Sequence, residues 1–106
     1  MKIKMLELVG DFGEDKDVAA STREKVIKPA LRSGEQVVLD FLGVSLATQS
    51  FIHALISDVL RTSGEDVLDQ LTFDNCSEVV KGIISTVVQY SLDSIFDDEA
   101  EARSGG

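Results

Sequence analysis

The segment from Val37 to Leu60 constrains the fold more than any other part of the chain. Val37-Val38-Leu39 is an apolar run that continues into Asp40-Phe41. Apolar side chains on both faces predict a central strand of a covered sheet rather than an edge. The chain then passes through Leu42-Gly43-Val44-Ser45-Leu46-Ala47, a turn of small and apolar residues, to Thr48, a residue suited to cap a helix. From Gln49 to Arg61, Phe51, Leu55 and Val59 form one row and Ile52, Ile56 and Leu60 the next. Rows spaced by four residues make one broad apolar helix face. A strand that feeds directly into such a helix is the repeating unit of α/β domains.

The flanking sequence extends this pattern. Lys2 to Val9 mixes Lys2, Lys4 and Glu7 with Ile3, Met5, Leu6, Leu8 and Val9, which predicts a first strand. Gly10-Asp11-Phe12-Gly13 reads as a turn, with Phe12 covering the sheet edge. Glu14, Asp15 and Asp17 stand where acidic groups favour a helix start. The helix that follows carries Val18, Ala19, Thr22, Val26, Ile27, Ala30 and Leu31 and ends at Ser33-Gly34. Pro29 is expected to bend or shorten its last turn. A third strand is expected over 69–74, with a further short strand hidden around Val67 and Leu68. Asn75 or Ser77 caps a last helix running to about Phe96. That helix holds Val79, Val80, Ile83, Ile84, Val87, Val88, Leu92 and Ile95, a wider apolar set than one sheet-facing stripe requires. The surplus is expected to meet the neighbouring helix. The order is β-α-β-α-β-α, the pattern of an α/β fold with a mainly parallel sheet and helices packed on it. Residues 1–96 are expected to form this one domain and 97–106 an acidic disordered tail.

Charge and composition narrow the function. The net charge is -9, with ten basic residues scattered among nineteen acidic ones. Nucleic acid and anionic membrane surfaces both call for clustered Lys and Arg, so neither is an expected partner. No window approaches the roughly 20 apolar residues of a membrane span, and no apolar stretch of a signal peptide follows Met1-Lys2-Ile3-Lys4. Cys76 is the single cysteine, so no internal disulfide is possible, which suits a reducing cytoplasm. One Cys and one His do not make a zinc site of the usual kind.

The stretch Val38-Leu39-Asp40-Phe41-Leu42-Gly43-Val44-Ser45, followed by Ser50-Phe51, resembles the STAS-like domain family of unknown function. A strand ending in Asp-Phe, a Gly-Val turn and a Ser-Phe at the helix start recur there. The resemblance spans most of the chain, from the Gly10 turn to the helix after Asn75. It implies a small STAS-like α/β domain, distantly similar to the anti-sigma factor antagonists. In those proteins the corresponding strand, turn and helix carry a switch serine, and laying the two segments together places Ser50 at the phosphorylated position. Thr48-Gln49-Ser50-Phe51 stands where the antagonists have Asp-Ser-Ser-Gly, so the Asp and Gly of that motif are absent here.

The resemblance implies a regulatory protein-interaction domain. Its partner would be a bacterial signalling protein, a kinase-like ATPase or a neighbouring effector. The contact surface is expected at the turn and helix start of residues 43–57, through Val44, Ala47, Thr48, Gln49, Ser50, His53 and Ser57. A phosphate on Ser50 would meet free backbone N–H groups at the positive end of the helix dipole. The bland alternative is a helix-start serine that helps Thr48 cap the turn.

An enzyme is not expected. Ser50 and His53 lack the Gly-x-Ser-x-Gly elbow, the orienting acid and the oxyanion donors of a hydrolase. His53 and Ser57 are expected on the side of the helix away from Phe51 and Leu55. Asp40, Asp74 and Asn75 could converge at the strand ends, where oxygen ligands would suit Mg²⁺ or Ca²⁺. A strand-end hydrogen bond from Asp40 and ordinary turn chemistry at Asp74-Asn75 explain them without a metal. No cofactor is implied. Two other readings stay open: a homodimer or assembly subunit using the apolar last helix, and a small-ligand or nucleotide-binding domain without catalysis.

Overall fold

A computed structural model describes the backbone of residues 1–103 and the side chains of residues 1–93. Strand β1 (Lys2–Lys4) leads into a single helical turn, α1 (Met5–Val9), and then β2 (Phe12–Gly13). Helix α2 spans 16–32, β3 is Val37–Asp40 and β4 is Leu46–Ala47. Helix α3 spans 49–63, a 3₁₀ turn covers Glu65–Asp69, β5 is Leu71–Asp74, and α4 is Glu78–Arg103. The main sheet has the order β1-β3-β5, all parallel, with Val37 opposite Leu71 and Ile3 opposite Leu39. The fold is therefore α/β with β3 central, as the sequence predicts.

The alternation along the strands decides which face is buried. Ile3, Val37, Leu39 and Leu71 are buried on one face, against the helices. On the other face Lys2, Lys4, Thr72 and Asp74 are exposed and Val38 is half-buried. The expectation of a sheet covered on both faces is thus corrected, because polar residues on β1 and β5 flank the one outward valine. Strands added in one direction across the sheet place their right-handed crossover helices on a single face. Helix α3 lies between α2 and α4, and its Phe51, Ile52, Leu55, Ile56 and Leu60 are fully buried.

Several boundaries differ from the sequence reading. The first strand ends at Lys4 rather than Val9. Its ladder partner β3 stops at Asp40, so the chain beyond Lys4 closes its own bonds, with Gly10 N–H donating to the Leu6 carbonyl at 2.9 Å. Phe12–Gly13 is a strand, not a turn, and pairs in parallel with Leu46–Ala47 to make a second sheet. Two residues per strand leave too little alternation to register in a sequence. The expected strand around Val67 and Leu68 is the 3₁₀ turn, with Val67 buried.

The helix ends follow their sequence signals. Asp15 accepts from the N–H groups of Asp17 and Val18 at 2.9 and 3.3 Å and starts α2. A wide π turn over Arg23–Ile27 lies just ahead of Pro29, whose missing N–H and ring disturb a regular ladder. A second π turn, His53–Ser57, interrupts α3. The Arg23 guanidinium donates to the Ala54 carbonyl at 2.8 Å, so the two widened turns are tied to each other. Ser77 Oγ accepts from Val80 N–H at 3.1 Å and caps α4. On α4, Val80, Ile84 and Val87 are buried, and Ile83 and Val88 pack partly buried against the core. Most of the apolar surplus on this helix is thus taken up within the fold. The helix backbone runs on past Phe96; the side chains of Ile95 and of the acidic segment 97–106 lie outside the described residues.

Candidate functional site

The segment between β3 and α3 is held on three sides. Phe41, Val44 and Ala47 are buried and anchor it to the core. Val44 N–H donates to the Phe41 carbonyl at 2.9 Å, closing a turn in which Gly43 has a φ of 87°. A side chain at Gly43 would be strained by that φ and would meet Leu6 at 2.7 Å. Ser45 N–H and Oγ donate to the Asp11 carbonyl at 2.9 and 3.2 Å, and the Ser45 carbonyl accepts from Ser77 Oγ at 3.0 Å. Thr48 N–H donates to the Gly13 carbonyl at 2.8 Å, and its Oγ1 accepts from Phe51 N–H at 3.1 Å. Thr48 is the cap of α3, as its residue type predicts.

This scaffold sets the exposure of each candidate residue. Gln49, Ser50 and His53 are exposed and line one side of an open cleft of about 670 Å³. Lys16 from α2 and Ala54, Val87 and Tyr90 complete it. Val44, Ala47 and Ser57 are buried, so the expectation that they present side chains to a partner is corrected. Ser57 in particular faces α4, where the Ser91 hydroxyl donates to its Oγ at 2.9 Å in a buried pair. It does not share an outer side of the helix with His53. Thr48 is half-buried, with its hydroxyl engaged in the cap.

Lys16, Val87 and Tyr90 were not legible as site residues. They come from two other helices, and only the tertiary packing brings them to Ser50. Tyr90 carried a faint signal: it is a large aromatic that falls outside the apolar rows of α4.

The strand-end cluster also forms. Asp40 and Asp74 are ladder partners, and Asn75, with a φ of 57°, donates through Nδ2 to Asp40 Oδ1 at 2.9 Å. Leu42 N–H donates to the same oxygen at 3.1 Å, and Lys2 Nζ stands 3.6 Å from Oδ2. The Asn75 amide, the Leu42 N–H and the Lys2 ammonium hold the Asp40 carboxyl below its ordinary range, against the opposing effect of burial. This is the strand-end hydrogen bond to the following turn. Among the described residues, no three His, Cys, Asp or Glu side chains are grouped to hold a metal ion. Cys76 is half-buried, and burial pushes its thiol pKa up, the opposite of an activated nucleophile. Among the described residues, no helix is long and apolar enough to cross a membrane.

The family model for the STAS-like domain of unknown function (DUF4325) matches residues 19–81. Comparison with curated proteins and with solved structures gives no match. The matched region runs from inside α2 to the start of α4 and includes the strand, turn and helix start just described. It covers more than half of the sequence and agrees with the parallel α/β topology, so the chain belongs to this family of STAS-like domains.

Proposed function

We propose that this is a non-catalytic regulatory domain of the bacterial cytoplasm that binds a signalling or effector protein through the turn and helix start of residues 43–57. The observation that carries this reading is the cleft at the start of α3. Gln49, Ser50 and His53 project from a helix end whose backbone is pinned by the Thr48 cap and the buried Phe51 and Ile52. A contact surface on a fixed scaffold loses little freedom when a partner docks. Phosphorylation of Ser50 would regulate it. The hydroxyl is exposed, and a phosphate would add about -1.5 to -2 charges at a helix start that shares its cleft with Lys16 and His53.

The test begins with a pull-down from the native host, in which mass spectrometry reads both the partner and any phosphate on Ser50. Calorimetric titration then compares the wild type with Ser50→Asp, whose far-UV circular dichroism should be unchanged. The expected result is about tenfold weaker binding, a difference of about 1.4 kcal/mol. Equal affinity would overturn the switch at Ser50.

A further inference from the structure

Large apolar side chains exposed on a folded domain are ordinarily scattered. Here five of them gather where the loops after the strands cross. Leu6 on α1 lies against Gly43, and the neighbouring Leu42 is 65 % exposed. Phe12 and Leu46 are ladder partners in the second sheet, and both point outward while Gly13 and Ala47 point in. The Asp11 carbonyl binds Ser45 and Leu46, and Ser77 Oγ binds the Ser45 carbonyl, which brings the start of α4 alongside. Val79, two residues on, is 52 % exposed.

Charge decides what such a surface can hold. In sequence Glu7 adjoins Leu6, Asp11 adjoins Phe12 and Glu78 adjoins Val79, and all three carboxylates are exposed; the cation beside Leu42, Lys2, is paired with Asp40. The chain as a whole carries -9. A second copy would bring the same three carboxylates and the same net charge of -9 against this one, and an anionic membrane would repel it. A segment with an apolar face flanked by Lys and Arg is complementary in both respects.

We propose that Leu6, Phe12, Leu42, Leu46 and Val79 form a docking surface for an amphipathic, positively charged segment of a protein partner. The inference rests on the interaction reading above and gives the partner its chemistry. It also extends the contact surface from the helix start to the loops before it.

The probe is a synthetic helical peptide of about fourteen residues with leucines along one face and lysines elsewhere. Two controls keep its pattern or its charge alone: a Leu/Glu peptide with the same spacing, and a scrambled Leu/Lys peptide. ¹H–¹⁵N spectra of the full chain are recorded during titration. The patterned Leu/Lys peptide should shift the amides around Leu6, Phe12, Leu42, Leu46 and Val79. Leu42→Asp, and separately Leu46→Asp, should weaken that binding at least about tenfold, with the dispersion of the free spectrum retained. Leu42 is among the most exposed of these side chains, so the first variant keeps the test valid even if the second disturbs the small sheet. Equal binding of the scrambled or Leu/Glu peptide would overturn the inference, as would no shift at millimolar peptide. A dimer in sedimentation equilibrium that Leu42→Asp dissociates would overturn it in favour of a second copy. Shifts confined to Gln49, Ser50 and His53 would overturn it too, yet leave the protein-binding reading standing.

Discussion

Asp40 illustrates how a single side chain can do structural work at a position that looks functional. It stands at the carboxyl end of the central strand, where α/β folds place ligands. Its Oδ1 is instead occupied by Asn75 and the Leu42 N–H. The acidic residue, the turn that follows it and a convergence with Asn75 at the strand ends were legible in the sequence; the hydrogen bond that Asn75 donates to Asp40 was not. A carboxyl held below its ordinary value of 3.8 favours the folded state only while it is charged. That contribution is complete above about pH 5 and drains away as the pH falls through the ordinary value and below it. Acidification from pH 6 to pH 3 should therefore cost the wild type more stability than Asp40→Asn, measured by urea denaturation at each pH. Parallel curves for the two proteins would contradict this account. Glu24 titrates in the same window, pulled down to about 2 by Lys28 and Arg23. It is present in both proteins, so the comparison isolates Asp40.

At the scale of elements, the contact between α2 and α3 is the one that sequence periodicity could not supply. Pro29 signalled a disturbance in α2, but the apolar rows of α3 run unbroken at four-residue spacing in the sequence, so nothing there marked its widened turn. The structure places one π turn in each, Arg23–Ile27 and His53–Ser57, and lets Arg23 bridge to the Ala54 carbonyl. Arg23 also pairs with Glu24 at 2.7 Å, and Glu24 pairs in turn with Lys28 at 2.8 Å. Arg23→Met keeps much of the side-chain volume and removes the donor. It should lower stability by about 2 kcal/mol in urea denaturation, the cost of stripping a charged donor from a partly buried carbonyl. Glu24→Gln, which leaves the bridge intact, should lose less, because exposed ion pairs contribute little. Equal losses for the two variants would place the energy in the surface pairs. The same scale explains what else was and was not legible. Helix α3 and strand β3 were read correctly because the apolar rows of α3 repeat over three turns and Val37-Val38-Leu39 is an unbroken apolar run. The strands β2 and β4 were missed because their pairing joins Phe12–Gly13 to Leu46–Ala47, distant in sequence. Burial of Ser57 was missed because a hydroxyl inside a helix gives no sign of whether another hydroxyl waits opposite it.

At the scale of the whole molecule, 106 residues carrying a net charge of -9 must fold against their own repulsion. Screening that repulsion should raise the melting temperature. A thermal melt in about 0.5 M sodium chloride is expected to lie above one in dilute buffer, since the Debye length falls to a few ångströms. A lower or unchanged midpoint would mean that the attractive pairs around Lys28 and Asp40 outweigh the net charge. The fold class, the central place of β3 and the capped start of α3 were legible because each is written in local pattern. The open sheet face was not, because Val37-Val38-Leu39 is apolar on both sides and only the neighbours supply the lysines. Those lysines have one more consequence. The outer strand β1 is three residues long and presents Lys2 and Lys4 on either side of buried Ile3. At the opposite margin β5 runs four residues before Asn75 turns the backbone away. Margins this short, one of them charged, offer another chain almost no ladder to extend. A partly opened copy therefore finds little here to add a strand to, and the domain resists the strand-by-strand growth from which fibrils begin.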